Sequence, residues 1–365
     1  MKNYSFRIVK PVEDGEFTEC VGMANSIFLA GPCPREDYSE DWRYDAFDIL
    51  EELGFNGVVV TPTNENFRDF ERASKLGHLD MLKMQTDWER KMMHMATRLV
   101  FWIPRDKEHP ARTTNVEFGE WYKKEGVFFG WPTWAEHNEY HQCKLMEQNK
   151  NFSDDLKTLL AEVVDSMGDT DDMFFTSDTH FSQQRTLELS RRPFVDVTEM
   201  DLEMISNWNK RVTMDDIVYH AGDFMDTDKI GDLTILLSNL NFKELHWTLG
   251  NYDRKVAEKI RETVAHSGRM VYFYDVGNPC RVEIGGRKFV VVHEPNDFAY
   301  DIKDDEIVLF GHIHGRAFAK RNGFDIATDY HRYSPLSSEQ VSWFANAMKY
   351  WDENVYCGEV KKASE

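Results

Sequence analysis

The constraint that narrows this chain most is an ordered series of five short strings in its second half. SDTH carries Asp178 and His180, AGDF carries Asp223, GNYD carries Asn251, VVVHEP carries His293, and GHIHG carries His312 and His314. Four of the five close an apolar run of β type: MFFTSD, DIVYHAGDF, KFVVVHE and EIVLFGH. The donors therefore fall just past the carboxyl ends of buried strands, where open α/β sheets bind their ligands. Glycines 222, 250 and 311 permit the tight turn by which each donor leaves its strand. Any one string alone reads as a core histidine or a turn carboxylate. Five in order supply the Asp, His and Asn donors that hold two divalent cations roughly 3.5–4 Å apart around a phosphoryl transfer. The mixed nitrogen and oxygen set suits Mn, Fe, Ni or Zn better than Mg. His220 and His246 are read as structural.

In their order and spacing these strings resemble the calcineurin-like metallophosphoesterases over roughly residues 172 to 340. The resemblance implies an α/β sandwich of two sheets flanked by helices. It implies one metal on Asp178, His180, Asp223 and His314, and a second on Asp223, Asn251, His293 and His312, with Asp223 as the bridge. The implied nucleophile is water ionised by the cations, so no protein nucleophile is required. Tyr252 and Asp253 complete the third motif and are the catalytic candidates there. Tyr252 stands where the family has a histidine beside the scissile phosphate. General acid catalysis is worth ~100- to 10,000-fold, so the change is consequential. Three readings stay open: Tyr252 is the donor, the leaving group needs no proton, or the hydrolase is slow. A phenol can protonate an alkoxide but is a poor shuttle at neutral pH.

The first half alternates apolar runs (SIFLAG, FNGVVVTP, RLVFWIP, GVFFGWP) with stretches of helical length. One of these, YSEDWRYDAFDILEELG, sets Trp42, Ala46, Ile49, Leu50 and Leu53 at helical spacing and ends at Gly54, as a helix C-cap does. The alternation predicts βαβ units and a parallel sheet of flavodoxin or Rossmann type. FLAGP, DWR, VVVTP, Q-x-x-WE, LVFWIPR and TTNVEFGEW resemble the nucleoside 2-deoxyribosyltransferase family over roughly residues 24 to 165. That resemblance implies Glu117 as a nucleophile toward an anomeric carbon, a task suited to a carboxylate facing an oxocarbenium-like transition state. It makes Gly31, Arg43, Gln85, Glu89 and Asn115 the substrate contacts. Thr114-Asn115-Val116-Glu117 also reads as a capping box, and the two roles can coexist. A Trp-Arg pair such as Trp42-Arg43 is as often a packed helix edge. The chain departs from the family at Phe28, where a tyrosine is expected, and around Thr97 and Arg98, where an aspartate is expected. Arg43 and Arg98 are alternative phosphate ligands, since guanidinium matches phosphate in a bidentate way.

At 365 residues the chain suits two domains, here 1–168 and 169–365. Ser153 is expected to cap the closing helix of the first, Gly168 to end it, and the polar run to Asp172 to form the boundary. A short extra strand is expected in the first twenty residues. A net charge of −21 argues against a polymeric nucleic-acid partner. Five cysteines (Cys20, Cys33, Cys143, Cys280, Cys357) without a C-x-x-C, and no long apolar run, predict a soluble cytoplasmic protein with reduced thiols and no membrane partner. The expected function is bifunctional nucleotide metabolism on a small phosphorylated nucleotide or nucleoside. The alternatives are a phosphoesterase governed by a catalytically silent nucleotide-binding domain, and a metal-dependent nuclease. The resembled transferases complete their sites with neighbouring subunits, which leaves a homo-oligomer open.

Overall fold

The computed structural model describes residues 3–13, 16–19, 22–33, 41–63, 77–107, 110–167, 172–295, 301–319 and 322–348. Cys20, Cys357 and Gly168, with most of the expected boundary run, lie outside them. The N-terminal sheet contains β1 (Arg7–Val9), β4 (Ser26–Ala30), β5 (Val58–Val60), β6 (Arg98–Trp102) and β7 (Val127–Gly130), all parallel, in the order β1-β5-β4-β6-β7. Strand β1 is the extra strand expected near the start, and a small hairpin of β2 (Val12–Glu13) and β3 (Glu16–Phe17) follows it. Strands β4, β5 and β6 are buried at every residue, because helices cover both faces of the sheet. On one face Ile27, Leu29, Val59 and Val100 pack with α1 (Trp42–Glu52) and with Leu159, Leu160 and Val163 of a later helix. On the other, Phe28, Leu99 and Phe101 pack with Trp88 and Met92 of α2 (His78–Met95) and with Phe118 and Trp121 of α3 (Arg112–Trp121). From β4 the chain moves to β5 on one side and then to β6 on the other. The carboxyl ends of β4 and β6 are therefore the topological switch point, the usual ligand site of such a sheet.

After α4 (Glu139–Glu147) and α5 (Leu156–Asp165) the second domain begins. Its first sheet runs β11 (Met270–Tyr274), β10 (Glu244–Thr248), β9 (Ile217–His220), β8 (Met173–Thr176) and β16 (Leu336–Ser337), with only β16 antiparallel. Its second sheet runs β12 (Cys280–Ile284), β13 (Arg287–Val291), β14 (Glu306–Phe310) and β15 (Gly323–Asp325). Phe175, Tyr219, Ala221, Phe289, Val291, Leu309 and Phe324 fill the space between the two sheets, which makes the expected sandwich. Helix α7 (Val197–Asn209), which follows α6 (Gln184–Leu189), and α8 (Leu233–Asn239) lie on the outer face of the first sheet. Beyond them come α9 (Ala257–Ser267) and α10 (Ser338–Ala347).

The two domains are joined by a hydrogen-bonded seam, which explains one departure in the sequence. Thr97 Oγ1 accepts from Asn241 Nδ2 at 3.0 Å. The buried Arg98 donates to the carbonyls of Thr97, Asn209, Lys210 and Ser166 and to Ser166 Oγ. Both residues lie at the amino end of β6, the end of the strand opposite the switch point. Arg98 is therefore no phosphate ligand, and its donors belong to the seam. Helix ends differ in detail from the sequence reading. Asp155, not Ser153, caps α5 by accepting from Thr158 N at 2.8 Å, while Ser153 Oγ binds the Asp155 backbone.

Candidate metal centre and a second cavity

All seven predicted donors converge at the carboxyl ends of the sandwich strands. Five of them, Asp178, His180, Asp223, His312 and His314, have positive φ between 46° and 72°. That conformation is costly for non-glycine residues and concentrates at functional sites. The glycines serve mainly close approach: a Cβ on Gly250 would sit 2.1 Å from Asp223 Oδ1, and one on Gly311 2.1 Å from Asp178 Oδ2. Of the three, Gly222 has positive φ, so the turn argument holds there and packing holds at the other two.

Asp178 Oδ1 lies 3.7 Å from both His180 Nε2 and His314 Nε2. Asp223 Oδ2 lies 3.8 Å from His180 Nε2 and 3.3 Å from His293 Nε2, between the two groups, as a bridge requires. Asp178 also reaches both three-residue clusters. Asn251 Oδ1, His293 Nε2 and His312 Nδ1 lie within 2.9–3.2 Å of one another. Among the described residues, Asp178 Oδ1 and both ring nitrogens of His180 are buried without a hydrogen-bond partner. Buried polar atoms are rarely left so unless something else ligates them, so the residues present fit divalent cations.

Neighbouring groups hold this arrangement. His293 Nδ1 meets Ala221 O at 2.8 Å, leaving Nε2 for the cluster. His314 Nδ1 meets Asp329 Oδ2 at 3.1 Å, and Arg192 grips both oxygens of Asp329 at 3.0 Å. Such partners fix the tautomer and orientation of ligating histidines. Neither Asp329 nor Arg192 stands in a recognisable string, and sequence reading missed both. Burial alone would raise the Asp178 carboxyl, yet His180, His293 and His314 hold it well below the usual carboxylate range. Burial would lower His293, but Asp223 and Asp178 carry it up to about 9. His220 is pushed down to about 3, mainly by burial, and with His246, stacked between Tyr219 and Tyr272, it stays structural.

Asp253 needs correction as a catalytic candidate. Its carboxylate is 1 % exposed and accepts from the Asp223, Phe224 and Gly250 backbones and from Trp247 Nε1. It ties the two ligand loops together and has no free oxygen for substrate. Tyr252 donates its backbone N–H to Asp223 Oδ1 at 2.9 Å, and its ring stands edge-on to His180 with centroids 5.7 Å apart.

At the switch point of the N-terminal sheet lies a cavity of about 270 Å³. Gly31, Gln85, Glu89 and Glu117 line it together with Phe28. Burial pushes Glu117 up to about 7, with Glu89 adding to the rise and Arg43 opposing it. Gln85 Nε2 donates to Glu89 Oε1 at 2.7 Å. The capping-box reading of Glu117 does not hold. Helix α3 begins at Arg112 behind a left-handed Ala111, so Thr114 and Glu117 are interior positions, and among the described residues no side chain caps the end. Two predicted contacts fall elsewhere. Arg43 is 1 % exposed and spends its donors on the carbonyls of Leu29, Gly31 and Pro32 and on Asp41. Asn115 accepts from Arg105 at 2.8 Å and lines a different cavity with Phe118 and His141.

Two family models match successive parts of the chain. Residues 24–134 match the family model described as nucleoside 2-deoxyribosyltransferase like, and residues 172–332 match the calcineurin-like phosphoesterase superfamily domain. The chain thus joins a nucleoside 2-deoxyribosyltransferase-like domain to a calcineurin-like phosphoesterase domain. It is 29% identical over 177 residues to the uncharacterized protein MJ1445 of Methanocaldococcus jannaschii, covering 46% of this chain and 88% of that one. A solved protein of unknown function, AQ665 from Aquifex aeolicus, aligns over 47% of this chain and 98% of its own with 16% identity. The TM-score of that alignment is 0.36. Among the described residues no helix is long and apolar enough to cross a membrane.

Proposed function

We propose that this chain is a bifunctional enzyme of nucleotide metabolism. Its C-terminal domain hydrolyses a phosphate ester of a small nucleotide or related molecule, and its N-terminal domain breaks or exchanges an N-glycosidic bond through Glu117. The observation that carries the first activity is the convergence of seven donors around the orphaned atoms of Asp178 and His180. Asp178, His180, Asp223 and His314 would hold one divalent cation, and Asp223, Asn251, His293 and His312 the other. Mn, Fe, Ni or Zn suits this set better than Mg. Bound there, the cations supply Lewis acidity and a hydrolytic water of lowered pKa. The chain itself fixes donor geometry through Asp253, Asp329 and Ala221 O, and Tyr252 lies beside His180 as the candidate proton donor.

In the N-terminal cavity Glu117, once ionised, would attack the anomeric carbon as the base departs, and water or a second base would then take the sugar. Its elevated pKa leaves it partly protonated near neutrality, so this activity should rise with pH through about 7. One observation favours a silent nucleotide-binding domain instead. Phe28 lines the cavity where the resembled family places a tyrosine, so it offers no hydroxyl to orient Glu117. A matched pair of variants tests the assignments. Asp223→Asn should abolish phosphate release and spare base release, and Glu117→Gln should do the reverse. Base release absent from the wild type on every deoxynucleoside and deoxynucleotide supplied would leave the binding-domain reading.

A further inference from the structure

A cavity of about 450 Å³ opens where the two domains meet. Lys124 reaches it from the N-terminal domain, and Lys210, Arg211 and Arg332 reach it from the C-terminal one, with Tyr330 and Phe344 as an apolar wall. The chain carries a net charge of −21, yet among the described residues that line this cavity four cations face two carboxylates, Glu125 and Glu203. Glu203 is already engaged, with Lys124 at 3.0 Å and His94 at 3.6 Å.

Lys210 is the unusual member. It is 7 % exposed, and its stem crosses into the N-terminal domain, where a Cβ on Gly126 would come within 2.8 Å of its Cγ. Its ammonium stands 4.3 Å from the ring centroid of Trp121 and, among the described residues, donates to Ser206 Oγ. An ammonium has three donors, and burying one without a paired anion is strongly unfavourable. Burial, then the neighbouring Lys124, presses its pKa well below that of an ordinary lysine, with Glu203 opposing the fall and Arg98 and Lys150 adding to it. Arg211 turns one nitrogen to Gln340 Oε1 at 2.6 Å, and Arg332 is exposed on a residue of φ 53°. Two guanidinium groups beside a buried ammonium form the donor set that recognises phosphate oxygens.

We propose that this junction cavity binds a phosphate-bearing small molecule held by Lys210, Arg211 and Arg332 and touching both domains. The site shares no lining residue with the Glu117 cavity and none with the seven metal donors. It is therefore separable by mutation from both proposed activities. A ligand there would bridge the seam and raise the melting temperature of the whole chain by mass action.

Calorimetric titration of the full-length, metal-stripped protein with inorganic phosphate and with inorganic pyrophosphate tests this. The wild type should bind one equivalent, and the Arg211→Ala/Arg332→Ala double variant should bind at least tenfold more weakly. Asp223→Asn should bind as the wild type does, because the metal centre is not involved. Lys210→Met, which keeps the stem against Trp121, carries the same expectation as the double variant should that one fail to fold. No saturable binding by the wild type, equal affinity in the junction variants, or loss of binding in Asp223→Asn would each overturn the proposal.

Discussion

Replacing Glu117 with glutamine should stabilise the protein above neutral pH and leave it nearly unchanged at a pH below the carboxyl's ordinary value. Glu117 titrates near 7 in the folded state against an ordinary 4.5, chiefly because it is buried. A folded-state pKa above the unfolded one means that the native protein holds the proton more tightly. The stability this contributes is complete below the unfolded value and is lost as pH rises through about 7. A rise of that size corresponds to at most about 3.4 kcal/mol at ~1.36 kcal/mol per unit. Because the carboxyl lines an open cavity, solvent screening should leave about 1–2 kcal/mol of it. Glutamine is neutral throughout and escapes the loss. Thermal unfolding of both proteins at about pH 4 and about pH 8 should therefore show nearly all of the variant's advantage at the higher pH, since other titrations cancel in the difference. An identical difference at both pH values would refute the argument that Glu117 is a strained functional carboxylate.

Three further outcomes follow from the metal centre. Asp253→Asn keeps shape but replaces one acceptor with a donor facing Phe224 N–H, and should cost about 1.5–3 kcal/mol in urea unfolding; Asp253→Ala, which orphans four buried donors, should cost more. A loss of turnover with unchanged stability would restore Asp253 as a chemical participant. Asp329→Asn should weaken Mn²⁺ binding about 10- to 100-fold in a direct titration, because His314 loses the carboxylate that orients it. Tyr252→His should accelerate alkyl phosphates more than aryl ones, and equal gains on both would remove Tyr252 from the proton-donor position.

The candidate metal centre was legible in the sequence because four of its five donor strings close an apolar run, and such runs mark strand ends. What holds the donors was not. Asp329 meets His314 from 15 residues further along, Arg192 in turn reaches Asp329 from 137 residues away, and no local pattern announces such contacts. In the first domain the strands and helices were readable from their apolar spacing, but the direction of single side chains was not. Asn115 and Glu117 are two residues apart on one helix, and at 3.6 residues per turn they point to nearly opposite sides. They therefore line different cavities. Arg43 stands close behind the β4 turn, but its donors go to that turn's carbonyls. The capping box failed because α3 starts earlier than Thr114, a boundary set by the left-handed Ala111 rather than by a polar cap.

The most direct test of the central claim is a product analysis. The full chain, first chelated and then reloaded with Mn²⁺, would be given a panel of deoxynucleoside monophosphates while inorganic phosphate and free base are measured in the same samples. Phosphate release that appears only with Mn²⁺, together with base release that Glu117→Gln abolishes and chelation does not, is the predicted result. Phosphate released equally well by the metal-free protein, or none released after reloading, would contradict it.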